Sequence, residues 1–280
     1  MTNQLIDLNG QVAVVTGGAR GQGRAHAVRL ANAGADVAVV DIAAQMAAVP
    51  YPMATPEDLA ETVRLVEATG RRCLSVQADV RSAEAMADTF DSVLEQLGRL
   101  DVVVANAGVV LMSEPWRTTD EQWSTVMDVN VTGVFNTLRA ASARMVDAGR
   151  GGSIICTSSV CSQRPQLGLA AYTVSKHAVV GLVRAFAREL GTHRIRVNVV
   201  QPGNVDTPMV NNPAVYARLR PDLKSPTRED AAAVFGAMNA MPVSWVDADD
   251  ISAAVLWLAS AHAQFVTGAE IPVDAGLLLV

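Results

Sequence analysis

Tyr172 and Lys176 stand four residues apart, a spacing that on a helix stacks a phenol and an ammonium group on one face. A lysine beside a tyrosine favours the phenolate, so the pair is expected to bring the phenol below its free value of about 10, toward the range of a working general base. Ser159, upstream in the same stretch, can bring a hydroxyl to the same point. Together the three could polarise one carbonyl or alcohol oxygen. The pair alone also occurs on solvated helix faces, so its weight depends on what the rest of the chain builds around it.

Near the start, Val12-Ala-Val-Val-Thr16 is a short β-branched run that passes into Gly17-Gly-Ala-Arg20-Gly21-Gln22-Gly23 and then an amphipathic segment, residues 24–33. Strand, glycine turn and helix in that order let the backbone approach a pyrophosphate at the positive end of a helix. A second apolar run ends at Asp41, where a carboxylate can take the hydroxyls of an adenosine ribose. A 2′-phosphate there would meet a like charge, with no cation from Ile42, so NAD is expected over NADP. Arg20 is the one loop residue that could greet a phosphate and leave NADP open.

Further on, a third strand over 71–77 delivers Asp79 and Val80, an acid that could meet the adenine amino group or simply form a turn. A buried strand over 100–108 ends in Asn106, Ala107 and Gly108, the last two small enough for close backbone approach. Residues 120–148 read as one long helix with Asn130, a poor helix former, in its middle, where it could distort the helix and hold a water. The next strand presents Ser158 and Ser159, and the helix bearing Tyr172 continues through Leu190. A sixth strand leads to Pro202, Gly203, Val205 and Thr207, expected to pass the nicotinamide. Residues 42–54 form an uncharged insert with Pro50-Tyr-Pro52 that cannot be a regular helix throughout. Residues 208–246, mixed in polarity, read as a substrate lid. A final helix over 250–260 and strand over 270–274 complete seven strands alternating with six helices: a doubly wound parallel α/β sheet of the Rossmann type in a single domain.

Composition narrows the alternatives. With 280 residues, half of them hydrophobic, the chain can bury a full core, and its net charge of −6 offers no footprint for nucleic acid. The stretch 1–11 does not read as a signal peptide, and the longest apolar run is too short to cross a bilayer. Cys73, Cys156 and Cys161 lack metal or redox spacing and the histidines are scattered, so no metal site and a cytoplasmic location are expected.

The glycine loop, Asp79-Val80, Asn106-Ala-Gly108, Asn130, Ser159, Tyr172-x-x-x-Lys176 and Pro202-Gly203 together resemble the short-chain dehydrogenase/reductase family along almost the whole chain. That resemblance implies Tyr172 as acid/base, Ser159 orienting the substrate oxygen and Lys176 holding the nicotinamide ribose. It further implies Asn130 positioning a relay water and Thr207 contacting the carboxamide or phosphates. The insert is similar to that of an actinobacterial subgroup that includes carveol dehydrogenases and is associated with the redox peptide mycofactocin. The implied activity is an NAD-dependent oxidoreductase of small apolar secondary alcohols or ketones, terpenoid or steroid, working as a homotetramer. The insert is expected to close over the adenosine half of NAD, with a mycofactocin-type external redox partner recycling it. An NADP-dependent carbonyl reductase and a nucleotide-binding scaffold or redox sensor without turnover are the alternatives.

Overall fold

The computed structural model describes residues 6–280, so part of the 1–11 stretch lies outside it. The β-branched runs form a seven-stranded, all-parallel sheet in the order β3-β2-β1-β4-β5-β6-β7. In chain order these are β1 (Val12–Thr16), β2 (Asp36–Asp41), β3 (Cys73–Gln77), β4 (Val102–Ala105), β5 (Gly152–Thr157), β6 (Ile195–Pro202) and β7 (Glu270–Val273). Among the described residues the α-helices are α1 (Gly21–Asn32), α2 (Pro56–Glu67), α3 (Ala83–Leu97), α4 (Asp120–Met127), α5 (Gly133–Ala148), α6 (Ala170–Leu190), α7 (Pro213–Leu219), α8 (Arg228–Ala237) and α9 (Ala248–Ala259). Strand order reverses between β1 and β4, and that point fixes where a ligand can enter at the carboxyl ends of the strands.

Alternate residues of each strand feed opposite layers, as a pleated sheet requires. Val12, Val14, Ala38 and Val40 pack with Phe90 of α3, Leu138 of α5 and Val179 of α6. Ala13, Val15, Val37 and Val39 pack with Leu30 of α1 and Ile251 and Leu258 of α9. With both faces covered, the central strands β1, β2 and β4 are buried along their whole length rather than alternating.

Four sequence expectations need correction. The long helix over 120–148 is interrupted: Asp128–Thr132 winds as a π turn with Asn130 at its centre, so the expected distortion is present as a widened turn between α4 and α5. The helix count rises from the expected six because of this interruption and because 208–246 contains two short helices, α7 and α8. The strand expected over 100–108 stops at Ala105, because Asn106 turns back onto β1: its backbone N–H donates to Thr16 Oγ1 at 3.0 Å and its amide to the Thr16 carbonyl at 3.1 Å. The first helix begins at Gly21, inside the glycine loop, rather than at residue 24.

The insert and the 208–246 segment leave the same edge of the sheet. Thr55 caps α2 with a reciprocal bond to Asp58, and Pro56 takes the first helical position. The 208–246 segment is pinned at its base, where Val205 and Val246 form an isolated parallel bridge, and it has its own cluster of Val215, Ala231 and Phe235.

Candidate active site

The loop after β1 meets β4 so closely that its glycines are obligatory. Gly17 has φ +66°, and a β-carbon on it would lie 2.8 Å from the Ala107 α-carbon; one on Gly23 would collide with the Gly17 carbonyl. The helix that follows has no side-chain cap and no acid in its first turn. Its first amides, at Gly21, Gln22 and Gly23, therefore face the cleft with positive potential and without a protein acceptor, which suits a pyrophosphate.

Asp41 ends β2 beside this loop. Its carboxylate accepts from the Ala19 N–H at 3.1 Å and the Ala43 N–H at 3.0 Å, which fixes it in place and leaves lone pairs for a diol. Arg20, expected as a possible phosphate ligand, instead donates to the Pro52 carbonyl of the insert. Asp79 lines the cleft, but its two oxygens are already bound by the Arg81 guanidinium. Burial alone would raise the Asp79 pKa; Arg81 outweighs it and keeps the carboxyl below its usual range.

At the other end of the cleft, β5 delivers Ser158 and Ser159, and the buried face of α6 delivers Tyr172 and Lys176 one turn apart. Lys176 Nζ donates to the Thr157 carbonyl at 2.8 Å and lies 5.4 Å from the centre of the Tyr172 ring. Burial lowers the lysine pKa to about 8, so it keeps its charge at neutral pH. The expected depression of the tyrosine pKa is not found in the chain alone. Burial dominates and raises it, with the Ser159 hydroxyl pulling the other way, because the lysine addresses the ring face and a carbonyl rather than the phenol oxygen.

Every residue expected to touch the dinucleotide lines this one cleft: the glycine loop with Arg20 and Gln22, Asp41 and Ile42, Asp79 and Val80, Asn106 to Gly108, and Pro202, Gly203, Val205 and Thr207. Asn130, expected to position a relay water, does not line it. It is fully buried behind the cleft, its amide donating to the Val109 carbonyl at 2.9 Å and to Ser175 Oγ at 3.0 Å, while its oxygen accepts from the Val109 N–H at 2.8 Å. Both amide hydrogens are used inside the protein, so the side chain braces Val109 and α6 and has no hydrogen left to offer a water. Among the described residues no group of His, Cys, Asp and Glu is arranged to hold a metal, and no helix is long and apolar enough to cross a membrane.

The model of the family described as short chain dehydrogenase matches residues 11–214. The chain belongs to the short-chain dehydrogenase/reductase family. It is therefore an oxidoreductase built on the Rossmann-type sheet. The chain is 43% identical over 275 residues to (−)-trans-carveol dehydrogenase of Rhodococcus erythropolis, covering 97% of this chain and 99% of the relative. The crystal structure of carveol dehydrogenase from Mycobacterium avium in complex with NAD is similar with a TM-score of 0.97 and 48% identity, over 99% of this chain and 100% of that one. A short chain dehydrogenase from Mycobacterium paratuberculosis bound to NAD follows with a TM-score of 0.90, 46% identity and coverage of 98% and 100%.

Two bracing residues of this dehydrogenase have no counterpart among the residues expected from the sequence. Arg24 ties the glycine loop to α2, donating to the carbonyls of Ala19 and Asp58 and to Thr62 Oγ1. Gln201, fully buried in β6, donates to Ser162 Oγ at 2.9 Å, and Ser162 in turn donates to the Ser159 carbonyl, bracing the turn behind the serine. Neither carries a local signal, since an arginine in a helix and a glutamine in a strand gain meaning only from distant partners. Tyr51 of the insert was expected to help cover the adenosine half of NAD; its hydroxyl instead accepts from the Val110 N–H at 3.1 Å, in the wall of the cleft that Tyr172 also lines.

Proposed function

We propose that this chain is an NAD-dependent dehydrogenase/reductase of small apolar secondary alcohols and ketones, of the carveol-like terpenoid or steroid class. The observation that carries this is the convergence of Ser159, Tyr172 and Lys176 on the cleft that also holds the glycine loop and Asp41. In the oxidation direction Tyr172 takes the substrate hydroxyl proton and in reduction returns it. Ser159 donates to the same substrate oxygen and holds it against the phenol. Lys176 holds the nicotinamide ribose and keeps a positive charge near the phenol, opposing the burial that disfavours phenolate. The bound nicotinamide supplies the hydride acceptor or donor. Thr207 is assigned to the carboxamide or phosphates, and Asn130 to bracing the backbone along which a relay water would run.

NAD is favoured over NADP because Asp41 presents a fixed carboxylate and Arg20 is engaged with the insert. The 208–246 segment serves as the substrate lid, supported by Pro208, Met209 and Val210 in the cleft wall. The insert's Met46, Met53 and Ala54, also in that wall, support slow cofactor exchange and an external redox partner of the mycofactocin type. Free thiols at Cys73, Cys156 and Cys161 suit the cytoplasm. A homotetramer would cover exposed Phe135 and Val174 on α5 and α6 and Leu279 at the chain end. Only part of that end needs a partner: Leu277 is buried within the chain and its carbonyl accepts from Arg164.

The deciding experiment is Tyr172→Phe, assayed with carveol and an artificial electron acceptor. Turnover is expected to fall by about 10² to 10⁴, with NAD still bound; wild-type turnover in that variant would refute the acid/base role.

A further inference from the structure

The insert is not a loose loop. The Gln45 side chain gathers it from inside, its amide donating to the carbonyls of Met46, Val49 and Tyr51 and its oxygen accepting from the Met53 N–H. Arg20 fastens Pro52 to the glycine loop. This scaffold drives Tyr51 into the core with 6% of its surface exposed, in the wall of the same cleft as Tyr172. The Tyr51 oxygen accepts from the Val110 N–H. Among the described residues no acceptor receives its O–H, so a residue that lines the cleft holds a buried donor without a partner, a condition that costs stability unless a ligand meets it.

We propose that Tyr51 is a ligand-recognition residue: its hydroxyl donates a hydrogen bond to an acceptor oxygen at the reacting end of the cleft, belonging either to the substrate or to the nicotinamide half of the cofactor. The insert thus carries specificity as well as closure. The Val110 contact restricts the donation, because accepting one bond leaves the O–H a narrower arc. Tyr51 and Tyr172 line the same cleft, which places the acceptor in the space that the reacting groups share. The inference rests on the dehydrogenase reading for its choice of probes.

Tyr51→Phe keeps the ring and removes the donor. Four dissociation or inhibition constants would be compared with wild type: NADH, AMP, carveol at saturating NAD, and limonene, which has the carveol skeleton without its oxygen. A substrate acceptor predicts carveol weakened about three- to tenfold with limonene unchanged. A cofactor acceptor predicts the same loss for NADH with AMP, the adenosine half alone, unchanged. Either result supports the proposal. No change in any constant, or equal loss for carveol and limonene or for NADH and AMP, would overturn it and leave Tyr51 as packing. Carveol turnover by the wild-type protein that Tyr172→Phe abolishes upholds the dehydrogenase reading whatever the constants of Tyr51→Phe, so failure of this inference is distinguishable from failure of that reading.

Discussion

The insert at 42–54 and the segment at 208–246 both leave the carboxyl edge of the sheet and both line the cleft, yet they are built on opposite plans. The insert has no helix and no cluster of its own. Val49 and Tyr51 belong to one face of the central core while Ala43 and Ala54 belong to the other, so it hooks over the sheet edge and is fixed to both layers. The longer segment is closed at its base by the Val205–Val246 bridge and holds itself together. Phe235 meets Trp245 edge-on at 6.0 Å, the Arg228 guanidinium lies 4.4 Å from the Trp245 ring centre, and α7 and α8 are capped by Asn212 and Thr227. A wall that shares the main core cannot move without disturbing it, whereas a unit with its own cluster can swing on its base. If the proposed roles hold, the cofactor side is the fixed one and the substrate side the adjustable one.

The largest expected effect is that of acid on the central core that the insert shares. His26 of α1, behind the glycine loop, is fully buried, its Nδ1 within 2.8 Å of Ser252 Oγ, and burial pushes its pKa from 6.5 down to about 3. Below pH 6.5 the unfolded chain takes up a proton that the folded chain refuses. Stability is therefore intact above that value and lost as pH falls, by about 1.4 kcal/mol per unit and about 5 kcal/mol by pH 3. Neither the insert nor the 208–246 segment contains a histidine, so this loss belongs to the central core to which the insert is fixed. Urea unfolding between pH 6.5 and 4.5 should show this slope, and His26→Leu should flatten it; an unchanged slope in the variant would assign the loss elsewhere.

Phe235→Ala empties the small cluster and is expected to cost about 3–5 kcal/mol within the segment. If that unit is separate, the KM for carveol rises while NADH affinity and the main unfolding transition stay near wild type; a matching loss of NADH affinity would mean the two excursions are coupled. Gln45→Ala attacks the insert instead, removing a hub of hydrogen bonds at a cost of about 1–3 kcal/mol. Because the insert shares the core, this variant should speed NADH release in stopped-flow and lower Tm together. The smallest effect is at Ala43, which holds φ +44° against the preference of any residue with a β-carbon. Ala43→Gly should relieve the strain and stabilise the protein by up to about 1 kcal/mol, read as a small rise in Tm; a fall would show that the methyl group's burial outweighs it.

Much of this molecule was legible in the order of its residues. The glycine loop between strand and helix, Asp41 at a strand end, and a phenol and an ammonium one turn apart are local patterns. Local patterns survive because backbone propensity and side-chain spacing act over a few residues. They were enough for the doubly wound sheet, for the cleft, and for all but one of the residues expected to line it. What they could not supply was the role of each group once burial was complete. Asn130 turns its amide inward to Val109 and Ser175; Arg20 turns to Pro52; Lys176 bonds the Thr157 carbonyl and leaves the Tyr172 phenol raised by desolvation. Tyr51 reaches a residue far along the chain, and Gln201 braces the Ser159 turn from a neighbouring strand. Hydrogen bonds and desolvation depend on which groups meet in space and how much water is left between them, and only the tertiary structure decides that.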